Sequence, residues 1–205
     1  LFLAIDSIEE SIEVSNENLA NSFNGSLLVA TVVVLSFLTL YYLGNKIVAK
    51  ADSLNFSKPV AIGLMISIGI GLHNFGEGLA IGAAVGIGSI AFSTFLIVGF
   101  ALHNTTEGIA IAAPMSRGKL MLGKLAIMGM IAGTPAIFGA WIGGFAYSPF
   151  TSVIFLAIGA GAIFQVILVL MKWIQKENDG NLSTLSVVSG FAIGMLVMYL
   201  TSILV

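Results

Sequence analysis

The sequence predicts an all-α membrane protein, a polytopic helical bundle forming one transmembrane domain over residues 1–205. Three observations predict it. First, 58% of the residues are hydrophobic and only 9% are charged, with a mean hydropathy of +1.05. A soluble domain carries about 25% charged residues, so this chain has too few charges to clothe a water-facing surface. Second, apolar runs of about 20 residues, the length that crosses a bilayer as a helix, recur six times. Third, the basic residues fall only on alternate connections between those runs.

The spans follow in chain order, with short connections that imply an up-and-down bundle. Helix A covers roughly Gly25–Lys46, helix B Pro59–Val85, helix C Ser89–Met115, helix D Leu120–Tyr147, helix E Phe150–Trp173 and helix F Ser183–Val205. Ser57 before Pro59 fits an N-cap with proline in the first helical turn. Lys46, Lys50, Lys58, Arg117, Lys119, Lys124, Lys172 and Lys176 all lie in or beside the A–B, C–D and E–F connections, and the B–C and D–E turns have none. These three connections share one side of an alternating bundle. The positive-inside rule makes that side cytoplasmic, so the expectation is a multi-pass protein of the cell membrane with its basic loops inside.

Residues 1–23 then lie outside. Leu1–Ile5 reads as the outer end of an earlier span, so one or more helices are expected ahead of Leu1. Without a charged n-region or a small-residue cleavage site this stub is not expected to be a signal peptide. Asp6, Glu9, Glu10, Glu13 and Glu17 read as a solvated helix end or loop in preference to an external metal-collecting mouth. The net charge of −2 gives no global field directed at nucleic acid. The absence of cysteine excludes disulfides, thiolate metal sites and cysteine nucleophiles.

Ionisable groups at mid-membrane are costly and mark functional sites by default. Four are placed there: His73 and Glu77 in helix B, and His103 and Glu107 in helix C. These are the only two histidines of the chain. Helix B reads His73-Asn74-Phe75-Gly76-Glu77-Gly78-Leu79-Ala80-Ile81, and helix C His103-Asn104-Thr105-Thr106-Glu107-Gly108-Ile109-Ala110-Ile111. The pattern H-N-x-x-E-G-[LI]-A-I thus occurs twice.

Residues four apart lie one turn apart on nearly the same helix face. Each His–Glu pair therefore offers a nitrogen and an oxygen to one point, and each Asn lies three residues before its Glu. If B and C pack antiparallel, two imidazoles and two carboxylates face each other with two amide oxygens beside them. Such ligands suit Zn²⁺, Fe²⁺ and similar first-row ions. Two glutamates and one divalent cation sum to zero charge, which offsets most of the cost of burial in a low-dielectric slab.

Other features read as packing. Gly78, Gly82 and Gly86 on helix B, Gly108 and Ala112 on C, and Gly190 and Gly194 on F form small-residue ridges. Gly78 and Gly108, each following a glutamate, are also placed to leave room for an ion or water. Pro114 and Pro135 lie within spans and kink them, with Gly133-Thr134-Pro135 the candidate bend of helix D. Gln165 in helix E reads as interhelical glue, and Met115, Met121, Met128 and Met130 as packing residues.

The doubled motif resembles the ZIP family of divalent-metal (zinc/iron) transporters, particularly its GufA-like branch, and the resemblance covers helices A to F. It implies eight spans in the complete protein, A to F being the third through eighth. Matched position by position, the family's metal ligands fall on His73, Asn74, Glu77, His103, Asn104 and Glu107. The implied function is transport of divalent metal, Zn²⁺ first and Fe²⁺, Mn²⁺ or Cd²⁺ next, toward the cytoplasm, by an elevator-like motion of helix blocks. The partners implied are the metal ion and the lipid bilayer, with no nucleic acid, no catalytic cofactor and room for a homodimer. Two departures point to one well-formed metal site with a weak neighbour. Asn104 stands where some relatives carry an acid, and helix D has no Asp or Glu. Two rivals remain: an intramembrane metalloenzyme, for which no third ligand or separate base is evident, and a carrier of protons or another cation built on His–Glu pairs.

Overall fold

The computed structural model describes residues 1–19, 24–51, 53, 56–116 and 122–202, with only the backbone of Ser202. Seven α-helices account for nearly all of it: α1 (Phe2–Leu19), α2 (Gly25–Ala49), α3 (Lys58–Gly86), α4 (Ile90–Ala112), α5 (Leu122–Ala146), α6 (Pro149–Glu177) and α7 (Leu185–Ser202). No strand occurs among the described residues. Helices α2, α3, α5 and α6, and α4 with the turn that follows it, are long and apolar enough to cross a membrane; α7 is a shorter apolar helix. The chain is therefore a polytopic all-α membrane bundle.

Helices A to F correspond to α2 to α7, with differences at their ends. Helix E continues four residues beyond Trp173, because Ile174–Glu177 keeps helical hydrogen bonding outside the apolar window. Helix C stops as an α-helix at Ala112 and finishes in a 3₁₀ turn, Ala113–Met115, that carries Pro114. A proline within an α-helix removes a backbone donor and crowds the carbonyl four residues earlier, so the chain tightens there instead of kinking. Arg117, Lys119, Met121, the expected start of helix D at Leu120 and the expected end of helix F at Val205 lie outside the described residues.

Local signals account for the visible ends. Ser57 is the N-cap of α3 with Pro59 in the first turn, and Ser148 precedes Pro149 at the start of α6. Between α3 and α4 the chain reverses through Gly88, whose φ of +76° is left-handed backbone that favours glycine.

Helix α3 is the centre of the bundle, packing most extensively on α5, then on α6 and α4; α6 in turn carries α1 and α2. Two-thirds (67%) of the most apolar stretch of α3 is buried, against 17% for α5, which places α3 inside and leaves much of α5 to lipid. The α3–α5 contact is made by glycines. A Cβ on Gly78 would lie 2.1 Å from the Ala136 carbonyl oxygen, and one on Gly139 would lie 2.2 Å from that of Phe75. Gly71 faces the Ile131 carbonyl, the one that Pro135 leaves without its helical donor. The expectation that Gly78 leaves room for an ion is thus corrected: the α5 backbone fills that space. Gly108 has no described atom within 4 Å of a Cβ position. Met115 and Met128 pack in the core with Ile66, Ile70 and Ile163, whereas Met130 is exposed.

The acidic stretch is helical throughout. In α1, Ser7, Ser11 and Ser15 recur every fourth residue and are buried, while Asp6, Glu9, Glu13 and Glu17 on other faces are exposed. The serine stripe lies against the bundle, and Ser11 Oγ donates to the Val153 carbonyl of α6 at 3.0 Å.

Candidate metal centre

The two motif helices face each other. His73, Glu77, His103 and Glu107 are each only 5–6% exposed, although a charged or polar side chain in this setting must find a partner to be stable. From α3, His73 Nε2 lies 3.1 Å from Glu77 Oε1, the i, i+4 approach that helical spacing dictates. From α4, His103 Nε2 reaches the same oxygen at 2.5 Å. The two imidazole rings are 6.5 Å apart, centre to centre. One ligand atom from each of His73, Glu77 and His103 falls within 4.8 Å of the others. Two residues one turn apart on one helix and a third from the neighbouring helix thus converge on one oxygen.

Glu107 is set beside this group. Both imidazoles and Glu77 act on it electrostatically and the Asn74 side chain lies beside it, yet neither of its carboxylate oxygens makes a well-aligned hydrogen bond. Asn74 donates through Nδ2 to the Ala132 carbonyl of α5 at 3.1 Å, which fixes its side chain between α3 and α5 and leaves Oδ1 buried and unpartnered; Asn104 Oδ1 is also unpartnered.

The chemistry of these orphaned atoms is uniform. Seven buried side-chain atoms among the described residues lack a hydrogen-bond partner, and five belong to the doubled motif: His73 Nε2, Asn74 Oδ1, Asn104 Oδ1 and both oxygens of Glu107. Buried polar atoms are nearly always satisfied, and a cluster rich in lone pairs is one that a cation can satisfy. Imidazole, carboxylate and amide oxygen together match a first-row divalent ion.

No protein-family model, curated protein or solved structure matches this chain. The reading of the centre therefore rests on its own residues.

One residue of α1 that sequence reasoning left out also reaches this centre. Ser7 Oγ lies 3.3 Å from His73 Nδ1. With Nδ1–H donating to Ser7, the Nε2 lone pair is left for a cation, the arrangement by which an outer partner fixes a ligating histidine. Asp6 and Glu10, expected to be part of a solvated helix end, act electrostatically on both His73 and Glu77. The signal for Ser7 was the Ser7-Ser11-Ser15 repeat, which periodicity marks as a packed face without naming what it packs against. Ser7→Ala is expected to weaken metal binding about tenfold, the lower end of what losing an outer-shell partner costs. Half-saturation for Zn²⁺ should rise while the thermal midpoint of the metal-free protein stays put. An unchanged half-saturation would remove Ser7 from this role.

Proposed function

We propose that the protein transports divalent metal cations across a membrane, binding them at mid-membrane between α3 and α4 through His73, Glu77, His103 and Glu107, with the Asn74 and Asn104 amide oxygens beside them. The observation that carries this reading is the meeting of His73, Glu77 and His103 from two helices, next to a glutamate whose oxygens make no well-aligned hydrogen bond. Two carboxylates and one M²⁺ leave the seam electrically neutral, whereas the same carboxylates alone would bear a large desolvation cost. A buried structural cluster would be expected to satisfy its own atoms, and this one leaves five unsatisfied.

The resemblance of the doubled motif to ZIP transporters agrees with this assignment and supplies the direction, toward the side that bears the basic connections, taken as the cytoplasm. Ligand type favours Zn²⁺, with Fe²⁺, Mn²⁺ and Cd²⁺ as alternatives, over Mg²⁺ and Ca²⁺.

The test is uptake into sealed vesicles containing the purified protein. Zn²⁺ entry is expected to be saturable and to compete with protons, because imidazole and carboxylate bind metal only when deprotonated. Acidifying the medium through the range where free imidazole protonates should raise half-saturation about tenfold over two pH units. Entry that is linear in Zn²⁺, or half-saturation that ignores acid, would defeat the proposal.

A further inference from the structure

A second feature lies about 22 Å along α3 from His73, at the helix's first turn. There α2, α3 and α6 enclose a cavity of about 290 Å³. Lys58 of α3 and Lys172 and Lys176 of α6 line it, with Glu177 the single carboxylate among the described residues. Three ammonium groups against one carboxylate make the cavity positive, so it repels the cation of the proposed centre and attracts an anion.

Two of its features are built, beyond charge alone. Lys172 is held in place, donating to Tyr41 Oη at 3.3 Å and sitting 4.6 Å above the Tyr41 ring. Gln165 also lines the cavity; it is 1% exposed, and its Nε2 lies on the side of Gly44, a cavity residue, while its Oε1 turns to Gly69 of α3. A buried amide N–H there calls for an acceptor from whatever fills the space. The first turn of α3 adds to the attraction, because Ser57 makes no side-chain cap bond to its amides and the positive end of the helix dipole lies there.

The depth identifies the source of the anion. Tyr41 and Trp173 line the same cavity as the lysines, and aromatic and basic side chains at span ends sit at headgroup level. Below them the wall is apolar, from Ile62, Met65 and Leu168. A free inorganic anion would satisfy the lysines and leave that wall and Gln165 unused. A phospholipid fits all three, with its phosphate on the lysines, a headgroup hydroxyl oxygen accepting from Gln165 Nε2 and its glycerol and upper acyl carbons on the apolar wall. Basic pockets between membrane helices take anionic headgroups on this principle.

We infer that this cavity binds an anionic glycerophospholipid with a hydroxylated headgroup, phosphatidylglycerol being the simplest, and that the bound lipid ties α2 and α6 to α3. The inference does not depend on metal transport and stands or falls separately from it.

The full chain in detergent tests it by thermal unfolding and by native mass spectrometry with added lipid. Phosphatidylglycerol should bind about tenfold more tightly than phosphatidylcholine and raise the unfolding midpoint. A Lys172→Gln, Lys176→Gln double variant should lose most of that preference. Lys124→Gln, which removes a lysine outside the cavity, should keep it. As a measurement independent of the lysine variants, Trp141→Phe leaves Trp173 the sole tryptophan, and brominated phosphatidylglycerol should quench it more strongly than brominated phosphatidylcholine. Equal binding of the two lipids, a preference that survives the double variant, equal quenching, or an equal midpoint shift from inorganic phosphate alone would each overturn the inference.

Discussion

Glu77→Gln is expected to abolish saturable Zn²⁺ uptake, lowering it at least about 100-fold, the upper range for disturbing a metal site's ligand environment, while leaving the protein folded. The reason is the position of one atom. Glu77 Oε1 lies 3.1 Å from His73 Nε2 and 2.5 Å from His103 Nε2, so it is the point shared by both helices. Glutamine keeps the shape and can still accept from His103, but it removes the negative charge that a divalent cation needs.

The substitution separates the transport reading from a structural one. If the cluster only locks α3 to α4, a neutral isostere should be tolerated, since replacing a buried charge by a neutral group of like volume is often neutral or stabilising. In the transport reading the metal-free variant is as stable as the wild type, yet it no longer responds to metal. Zn²⁺ at 100 times its dissociation constant should stabilise the wild type by about 2.7 kcal/mol, seen as a raised unfolding midpoint, and should leave Glu77→Gln where it was. Glu107→Ala should lose uptake in the same assay. A wild-type midpoint that ignores saturating Zn²⁺, or uptake unchanged in both variants, would remove the metal from this seam.

The legible and illegible parts of the molecule divide along a physical line. Hydropathy and charge act on one helix at a time, so α2 to α6 could be placed to within a few residues, and the i, i+4 spacing put His73 and Glu77 on one face. The repetition of the motif tied α3 to α4, and the structure brings His103 of α4 onto Glu77 of α3. Partner choice between helices depends instead on how closely two backbones can approach, which no periodicity records. Hence periodicity does not name α5 as the partner in the most extensive contact of the bundle, α3 with α5, and it leaves Gly78, a packing residue by its spacing, free to make room for an ion as well. Helix α1 was hidden for another reason. Its acids dominate its composition, while the residues that bind it to the bundle are serines, which hydropathy scores as neutral; only the contacts of Ser7 with His73 and Ser11 with Val153 show what they do.

The glycines that follow the two glutamates put that division to a direct test. In the motif Gly78 and Gly108 are equivalent, and a sequence argument would assign them one tolerance. In the bundle they differ as much as two glycines can. A methyl on Gly78 would sit 2.1 Å from the Ala136 oxygen and 2.9 Å from two further Ala136 backbone atoms, whereas one on Gly108 would meet no described atom within 4 Å. The obstacle at Gly78 is helix backbone, which cannot turn aside as a side chain would, so α3 and α5 must part along a contact where a Cβ on Gly82, Gly139 or Gly143 would likewise lie 2.1–2.2 Å from a carbonyl oxygen. Gly78→Ala is therefore expected to cost about 3 kcal/mol, the upper end for overpacking, and to drop the unfolding midpoint sharply. It should also impair metal binding, because Asn74 is anchored to the Ala132 carbonyl across the same contact. Gly108→Ala should be neutral or slightly stabilising, since alanine is the better helix former by about 1 kcal/mol. Thermal unfolding of the two single variants side by side decides it. Equal midpoints would mean that α3 and α5 do not pack through this ridge, and the placement of Asn74 beside the site would fall with it.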